Sequence, residues 1–259
     1  MDDIVRNAVQ FELNPELNVE KLSEEFKKSG RVRALHFLQP ACADALYQHL
    51  RHNVAWRTFL VANEQLLGTQ PGEPVGVSLE EDKEILDCAY DGARKGGFAY
   101  VHDADRLFPE DEADYVPDTA APRAPPADLV LAQFEGFLNA PAVRDFIRAV
   151  TGLQESGGIS SQATRFRPGH FVGFHSGTWS ADKTRKRRAV FSLGLTPDWK
   201  PEWGGAQEFR ADDQGTAQSF IPCFNSLEIS GFPMGYWISA VAPFAEVPRF
   251  AISGRVYAP

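Results

Sequence analysis

The feature that most constrains the fold is a series of short alternating segments between residues 158 and 257. Apolar and polar residues alternate with a period of two in each segment, and Gly, Pro or Asp separates one segment from the next. This period is typical of strands with one buried face, and eight strands at this spacing predict a sandwich or a barrel. The segments are SSQATRFR, HFVGFH, RAVFSLGL, GAQEFRA, AQSFIP, NSLEIS, YWISAVA and RFAISGRVYA.

The first 157 residues are predicted to be mainly helical, with a few strands. Asn18 is a candidate N-cap for a helix that ends at Gly30, and Pro40 begins a second helix. Three more helices are predicted over SLEEDKEILDCAYDGARKGG, ADLVLAQFEGFLNA and PAVRDFIRAVTG. We expect these helices to pack on one face of the β unit, which gives a single α+β domain over residues 1–259.

The charge and hydropathy of the chain argue against a nucleic-acid-binding protein and against a membrane protein. The chain has 259 residues and a formal net charge of −9, which argues against a nucleic-acid-binding surface. No segment approaches the roughly 18 uninterrupted apolar residues of a membrane span, and the N-terminal residues lack the apolar core of a signal peptide. We therefore expect a cytoplasmic protein with no membrane partner. The stretch at 108–126 is rich in Pro and acidic residues, and its length predicts a lid over a binding site.

The segment RFRPGHFVGFH, residues 165–175, has the pattern of a turn that leads into a strand ending at His175. Residue 177 would face the same side of that strand as His175, because side chains alternate with a period of two. His170 lies five residues before His175, so we expect it to face away from a site at His175 and to serve the turn.

In order along the chain, this segment, RRAVFSLGLTPDWKPEWGGAQEF, PCFNSLEIS and VAPFAEVPRFAISG resemble the prolyl-4-hydroxylase-like branch of the 2-oxoglutarate- and iron(II)-dependent oxygenases. The resemblance covers residues 160–257 and implies a double-stranded β-helix, or jelly roll. It also implies oxidation of a C–H bond in a small metabolite, amino acid or peptide. In that family two histidines and one carboxylate hold iron(II). An arginine binds the far carboxylate of 2-oxoglutarate, and a tyrosine hydrogen-bonds this cosubstrate.

The resemblance assigns these roles to five positions, of which this chain keeps two. His175 matches the first metal ligand, and Arg249 matches the arginine that binds 2-oxoglutarate. Gly177 stands at the carboxylate position, Tyr236 at the second histidine position and Phe166 at the tyrosine position. No histidine follows His175 in the sequence, so the second histidine is lost and not merely displaced.

Three interpretations of this altered site are open, and the sequence slightly favours the first. In the first, Tyr236 binds iron or copper as a phenolate beside His175, and Glu208 supplies a third ligand. In the second, the chain is a catalytically inactive pseudo-oxygenase that acts as a binding protein or as the partner of an active relative. Tyr236 then fills the space of the lost imidazole. In the third, a halide occupies the gap at Gly177, as in 2-oxoglutarate-dependent halogenases, although those enzymes keep both histidines.

The resemblance also leads to expectations about geometry and partners. We expect His175 and Tyr236 to face each other across the mouth of the barrel, and Trp237 to point outward. The expected ligand is a small molecule or peptide, and a homo-oligomer or a complex with an active relative is possible.

Overall fold

A computed structural model describes residues 10–62, 65–68, 79–108, 128–153, 157–175, 187–210 and 216–259. Within these ranges there are five α-helices and twelve strands. The helices are α1 (Val19–Ser29), α2 (Pro40–His52), α3 (Leu79–Arg94), α4 (Leu129–Leu138) and α5 (Pro141–Thr151). The strands are β1 (Arg31–Leu35), β2 (Arg57–Ala62), β3 (Gln65–Gly68), β4 (Tyr100–Ala104), β5 (Gly158–Phe166), β6 (Phe171–His175), β7 (Arg187–Gly194), β8 (Gln207–Arg210), β9 (Ala217–Phe220), β10 (Ser226–Gly231), β11 (Tyr236–Ile238) and β12 (Arg249–Tyr257).

The strands form one continuous, curled antiparallel sheet in the order β1-β10-β7-β12-β5-β4-β6-β11-β8-β9, and β2 and β3 extend it from β4. We call β1-β10-β7-β12-β5 the major half and β4-β6-β11-β8-β9 the minor half. Strand β4 joins the halves, because Asp103 is aligned with Arg165 on β5 and Tyr100 with Val172 on β6. The predicted jelly roll with supporting helices is confirmed. Each of the eight alternating segments forms one of the strands β5 to β12.

The helices begin and end where the sequence places their caps. The Asn18 side chain accepts a hydrogen bond from the Lys21 backbone at 3.0 Å, and Gly30 ends α1 with φ of 69°, a conformation that glycine adopts readily. Pro40 and Pro141 stand at the first positions of α2 and α5, where a missing N–H costs no hydrogen bond.

Four helices, α1, α2, α4 and α5, cover the outer face of the major half. The apolar residues of that face share a single buried core with helix residues such as Leu46 on α2 and Phe146 on α5. Leu193 on β7 and Ile252 on β12 are at most 1% exposed in this core. Helix α3 instead packs against β2 and β4. The helices therefore cover the outer face of the major half, and its inner face is available to form a functional site.

Two sequence predictions lie outside the described residues. One is Gly177, and the other is the lid over 108–126, of which only Phe108 is described. In the described part of the chain, no helix is both long enough and apolar enough to cross a membrane.

Candidate functional site

The inner face of the major half carries polar side chains in register across five neighbouring strands. The pairing aligns Gln162 on β5 with Ser253 on β12, and Ser253 with Ser192 on β7. It also aligns Ser192 with Glu228 on β10, and Glu228 with Arg33 on β1. Residues directly opposite each other point to the same side of a sheet. These five residues therefore form one continuous line, which we call the polar row.

A cavity of about 140 Å³ lies between the two halves of the sheet. Gln162, Ser253 and Ser192 of the polar row line it from the major half, and His175 and Tyr236 line it from the minor half. Aromatic side chains supply much of the remaining wall, including Phe98, Tyr100, His102, Phe108, Phe166 and Phe232. The cavity therefore combines hydrogen-bonding groups on one side with broad apolar surfaces on the other.

His175 and Tyr236 lie side by side on neighbouring strands. They are cross-strand partners of β6 and β11, and the centres of their rings are 4.4 Å apart at an angle of 59°. Both belong to the minor half, so they share one wall of the cavity and do not face each other across its mouth. The sequence analysis predicted both residues at the site. It did not predict that they lie on neighbouring strands, because strand order depends on the whole fold.

The His175 imidazole is neutral at pH 7. Its Nδ1 atom lies 3.1 Å from the Gly173 carbonyl oxygen, which only accepts, so Nδ1 carries the proton. Burial lowers the pKa of His175 to about 4, and the nearby Arg255 and Arg187 act in the same direction. Neutral imidazole is the form of histidine that binds metals.

The interpretation of Glu208 as a third metal ligand is wrong. Tyr236 is aligned with Phe209 on β8, whereas Glu208 is aligned with Trp237. Gln207 and Ile238 line the cavity with Tyr236, so Glu208 and Trp237 point to the opposite face of the sheet. Trp237 lines a separate groove on that outer face, as expected for an outward residue.

His170 has the structural role predicted for it. Its backbone N–H donates to the Arg167 carbonyl oxygen at 2.9 Å, and its carbonyl oxygen accepts from Val241 at 3.0 Å, which closes a turn. The side chain is 1% exposed, and burial lowers its pKa to about 4. It does not belong to the cavity wall of the described residues.

His102 on β4 lines the cavity and was missed in the sequence. Its ring stacks on Phe166, with centres 5.2 Å apart and an angle of 11°. Burial lowers the pKa of His102 to about 3. The sequence signal is the spacing of Tyr100, His102 and Ala104, which occupy every second position as the residues on one face of a strand do.

Arg249 lies in a buried charge cluster with Glu228 and Arg33. Glu228 Oε1 accepts from Arg33 Nη2 at 2.6 Å, and Glu228 and Arg249 are 5% and 4% exposed. Burial lowers the pKa of Arg249, and the Glu228 carboxylate opposes that shift. Glu228 Oε2, Arg249 Nε and Arg249 Nη1 have no hydrogen-bond partner among the described residues. The carboxylate of this cluster is therefore bonded to Arg33, whereas two nitrogen atoms of the Arg249 guanidinium have no partner among the described residues.

A second pair of arginines belongs to the cavity itself. Arg187 on β7 and Arg255 on β12 both line it. The guanidinium carbon of Arg255 lies 3.8 Å from the centre of the Phe108 ring, and that of Arg187 lies 5.7 Å from the centre of the Phe232 ring. Neither arginine was predicted as a site residue.

The donor set does not fit the iron(II) centre of the oxygenases. The resemblance assigns three positions to metal ligands. Of these, His175 and Tyr236 carry a donor atom, whereas Gly177 has no side chain to coordinate a metal. Within the described ranges no group of three or more His, Cys, Asp or Glu residues is arranged to hold a metal ion. At the two positions that the resemblance assigns to 2-oxoglutarate binding, Phe166 lacks the hydroxyl, and the Arg249 guanidinium carbon lies 5.1 Å from the centre of the Phe166 ring.

Comparison with known proteins supports the resemblance. The sequence model of the 2OG-Fe(II) oxygenase superfamily matches residues 161–256, so the recognition of this superfamily is confirmed over the β unit. No functionally curated protein matches the sequence.

Solved structures of the prolyl-4-hydroxylase type share the fold. A prolyl-4-hydroxylase from Pseudomonas putida is similar with a TM-score of 0.54 and 16% identity, over 93% of this chain and 99% of that chain. An oxidoreductase of the 2OG-Fe(II) oxygenase family from Burkholderia pseudomallei gives a TM-score of 0.56 and 9% identity, over 95% of this chain and 93% of that chain. At these identities the likeness concerns the fold alone. The β unit thus matches the superfamily model in sequence and shares its fold with these two solved structures.

Proposed function

We propose that this protein is a pseudo-oxygenase: it uses the oxygenase fold to bind a small organic molecule and does not carry out iron(II)- and 2-oxoglutarate-dependent oxidation. The observation that carries the proposal is the orientation of Glu208, which faces away from the cavity. Because the Glu208 carboxylate is not in the cavity, His175 and Tyr236 have no third donor among the described residues. Two protein ligands make a weak metal site.

The surroundings of Arg249 support the same proposal. In the family, the matching arginine binds an external carboxylate. Here Glu228 lies in the same buried cluster and is already bonded to Arg33. The region of Arg249 therefore already contains a carboxylate of the protein, although the cluster of two arginines and one glutamate keeps a net positive charge. The cavity beside this cluster has space for a small molecule, which supports the proposed binding function.

A second candidate is an oxidase-like enzyme with a His175–Tyr236 metal centre of iron or copper. The specific observation in its favour is the 4.4 Å separation of the two ring centres, together with the neutral state of the imidazole. A phenolate beside an imidazole suits iron(III) or copper(II). The halogenase alternative has less support, because it requires the second histidine that Tyr236 replaces.

Succinate release during incubation with iron(II), 2-oxoglutarate and oxygen separates these functions. We expect no metal-dependent succinate from the wild-type protein or from Gly177→Asp, since the second imidazole is missing in both. The double variant Gly177→Asp/Tyr236→His restores two imidazoles and one carboxylate, and serves as the matched test of the scaffold. Slow succinate release by this double variant would show that the missing histidine and carboxylate alone account for the lack of turnover in the wild-type protein. Iron-dependent succinate release by the wild-type protein would refute the proposal.

A further inference from the structure

Two buried glutamines line the cavity, one from each half of the sheet. Gln162 lies on β5 in the major half, and Gln207 lies on β8 in the minor half. The two residues are 7% and 6% exposed. A molecule in the cavity therefore meets an uncharged carboxamide on each wall, and each carboxamide can both donate and accept hydrogen bonds.

Two asparagines show how a carboxamide is satisfied elsewhere in this protein. The Asn225 side chain accepts from the Leu38 N–H at 2.9 Å and donates to the Leu38 carbonyl oxygen at 2.8 Å. Asn139 makes the same pair of hydrogen bonds with Ile159, at 2.9 and 2.8 Å. By contrast, the carboxamides of the two cavity glutamines have no hydrogen-bond partner among the residues that the structure describes.

A buried amide without a partner is unfavourable for folding, because it loses its hydrogen bonds to water and gains none in return. Exceptions to the pairing of buried polar groups are expected at functional sites. The backbone pairs of Asn225 and Asn139 show what completes a carboxamide, namely an N–H donor and a C=O acceptor side by side. Gln162 and Gln207 are therefore suited to a ligand that presents the same two groups.

Hydroxyl groups continue the hydrogen-bonding surface that begins at Gln162. Ser253 on β12 is aligned with Gln162, and Ser192 on β7 is aligned with Ser253. Neighbouring strands are about 4.8 Å apart, so these three residues of the polar row extend over roughly 10 Å of the cavity wall. Carboxamides and hydroxyls carry no charge, and they can hydrogen-bond an uncharged ligand without the desolvation penalty of an ion.

Flat aromatic rings supply much of the remaining wall. The rings of His102 and Phe166 stack with their centres 5.2 Å apart and an angle of 11° between them. Arg187 and Arg255 also line the cavity, and both already interact with other groups of the protein, including an aromatic ring in each case. A planar apolar body would remove water from the rings, and a volume of about 140 Å³ restricts it to a small molecule.

From this arrangement we infer that the cavity binds an uncharged, planar aromatic molecule with a carboxamide or lactam group, and that Gln162 pairs with the N–H and C=O of that group. Ser253, the next residue of the polar row, and Gln207, on the opposite wall, bind its remaining polar atoms. The inference rests on the proposed binding function and specifies its ligand class. Gln162 determines specificity for amides over acids and esters of the same shape, because an analogue without the N–H leaves the buried Gln162 carbonyl oxygen unpaired.

Calorimetric titration of the full-length protein tests the ligand class. Benzamide is compared with benzoate and methyl benzoate, which have the same ring but no N–H, and 2-pyridone is compared with N-methyl-2-pyridone. We expect at least one of the two amides to bind about tenfold or more tightly than its counterparts without an N–H, because a buried acceptor that is left unpaired is costly. Equal binding within both series, tighter binding of benzoate, or no binding of either amide would overturn the inference.

A glutamine variant locates the amide site. Gln162→Met keeps the length of the side chain and removes its hydrogen bonds, so it should weaken amide binding by about tenfold or more and leave methyl benzoate binding unchanged. Gln48→Met is the matched control, because Gln48 is an exposed glutamine on α2, and it should bind the amides as the wild-type protein does. A preference for amides that persists in Gln162→Met would contradict the assignment.

Thermal unfolding of the ligand-free proteins separates a ligand-binding role of Gln162 from a structural one. A buried amide without a partner does not stabilise the fold, so Gln162→Met should unfold at the same temperature as the wild-type protein or at a higher one. A marked decrease, or loss of the fold, would mean that the Gln162 carboxamide is already satisfied within the protein, and the inference would fail.

Two outcomes separate this inference from the proposed function. If the wild-type protein releases no succinate but binds benzoate or methyl benzoate as tightly as benzamide, the inference fails and the binding function survives. If the wild-type protein releases succinate with iron(II) and 2-oxoglutarate, but amide recognition depends on Gln162, the proposed function fails and the ligand class stands.

Discussion

The outer and inner faces of β7 and β12 differ in what they pack against. On the outer face, Leu193 and Ile252 belong to one apolar core shared with four helices. On the inner face, Ser192, Ser253 and Arg255 are polar and line a cavity. The outer face supplies most of the apolar burial, which is the main favourable contribution to folding. Substitutions on the inner face can therefore change the chemistry of the cavity while the apolar core on the outer face stays intact.

The largest expected effect comes from the charge cluster on the inner face. Glu228→Leu would leave the buried Arg249 and the half-buried Arg33 without a carboxylate, and breaking such a buried pair typically costs about 3 to 5 kcal/mol. We expect the free energy of unfolding, measured with urea, to fall by about this amount. The control is Glu246→Leu, which removes an exposed ion pair with Lys200 and should cost no more than about 1 kcal/mol. A small loss in Glu228→Leu would mean that the inner face does not depend on this cluster.

Substitutions at two adjacent residues on β7 allow the contributions of the two faces to stability to be compared directly. Leu193 is fully buried in the outer core, and Leu193→Ala should lower the free energy of unfolding by about 2 to 5 kcal/mol. Ser192, its neighbour on the cavity side, is 8% exposed. Ser192→Ala should change stability by only about 1 kcal/mol, the usual net worth of one hydrogen bond. Similar losses for the two variants would contradict the division between an apolar core on the outer face and a polar cavity wall on the inner face.

The pH dependence of stability provides a smaller effect. Burial lowers the pKa of His102 to about 3 and that of His175 to about 4, below the unfolded value of about 6.5. The unfolded chain therefore binds more protons between these values, so stability is full above about pH 6.5 and falls as pH decreases towards 4. Asp105 partly offsets this trend. Burial raises its pKa to about 6, and a raised carboxyl pKa favours the folded state at low pH.

One histidine variant isolates this contribution. His102→Gln should reduce the slope of unfolding free energy against pH by at most about 1.4 kcal/mol per unit, since one fewer proton is taken up on unfolding. Urea unfolding at several pH values between 4 and 7 measures the slope. His52→Gln, which changes an exposed histidine at the end of α2, is the matched control. An unchanged slope in His102→Gln would show that the imidazole is not buried uncharged in the cavity wall.

The fold could be predicted from the sequence because its signals are local. Each alternating segment forms a strand, and Asn18 and Gly30 fix the ends of a helix through backbone geometry that depends on neighbouring residues. Strand β4 was not identified, although it joins the halves of the sheet and brings His102 to the cavity. Its segment is short and lies between a helix and a Pro-rich stretch, where local signals are weak.

The site was predictable only in part, because its polar groups meet through strand pairing. The positions of His175 and Tyr236 in the sequence are 61 apart, and the antiparallel pairing of β6 with β11 makes them neighbours. Glu208 was misplaced by one residue of strand register, which reverses the face of a side chain. The Arg33–Glu228 ion pair joins residues from opposite ends of the chain, and no local pattern indicates it.

Metal stoichiometry tests the central claim most directly, namely that the oxygenase cavity binds a ligand without a metal centre. The wild-type protein, Tyr236→Phe and the double variant Gly177→Asp/Tyr236→His would be reconstituted separately with iron(II), iron(III) and copper(II), desalted and subjected to elemental analysis. We expect far less than one metal per chain in the wild-type protein and in Tyr236→Phe, and nearly one iron per chain in the double variant. One tightly held metal per wild-type chain that is lost in Tyr236→Phe would contradict the account and establish a His175–Tyr236 metal centre.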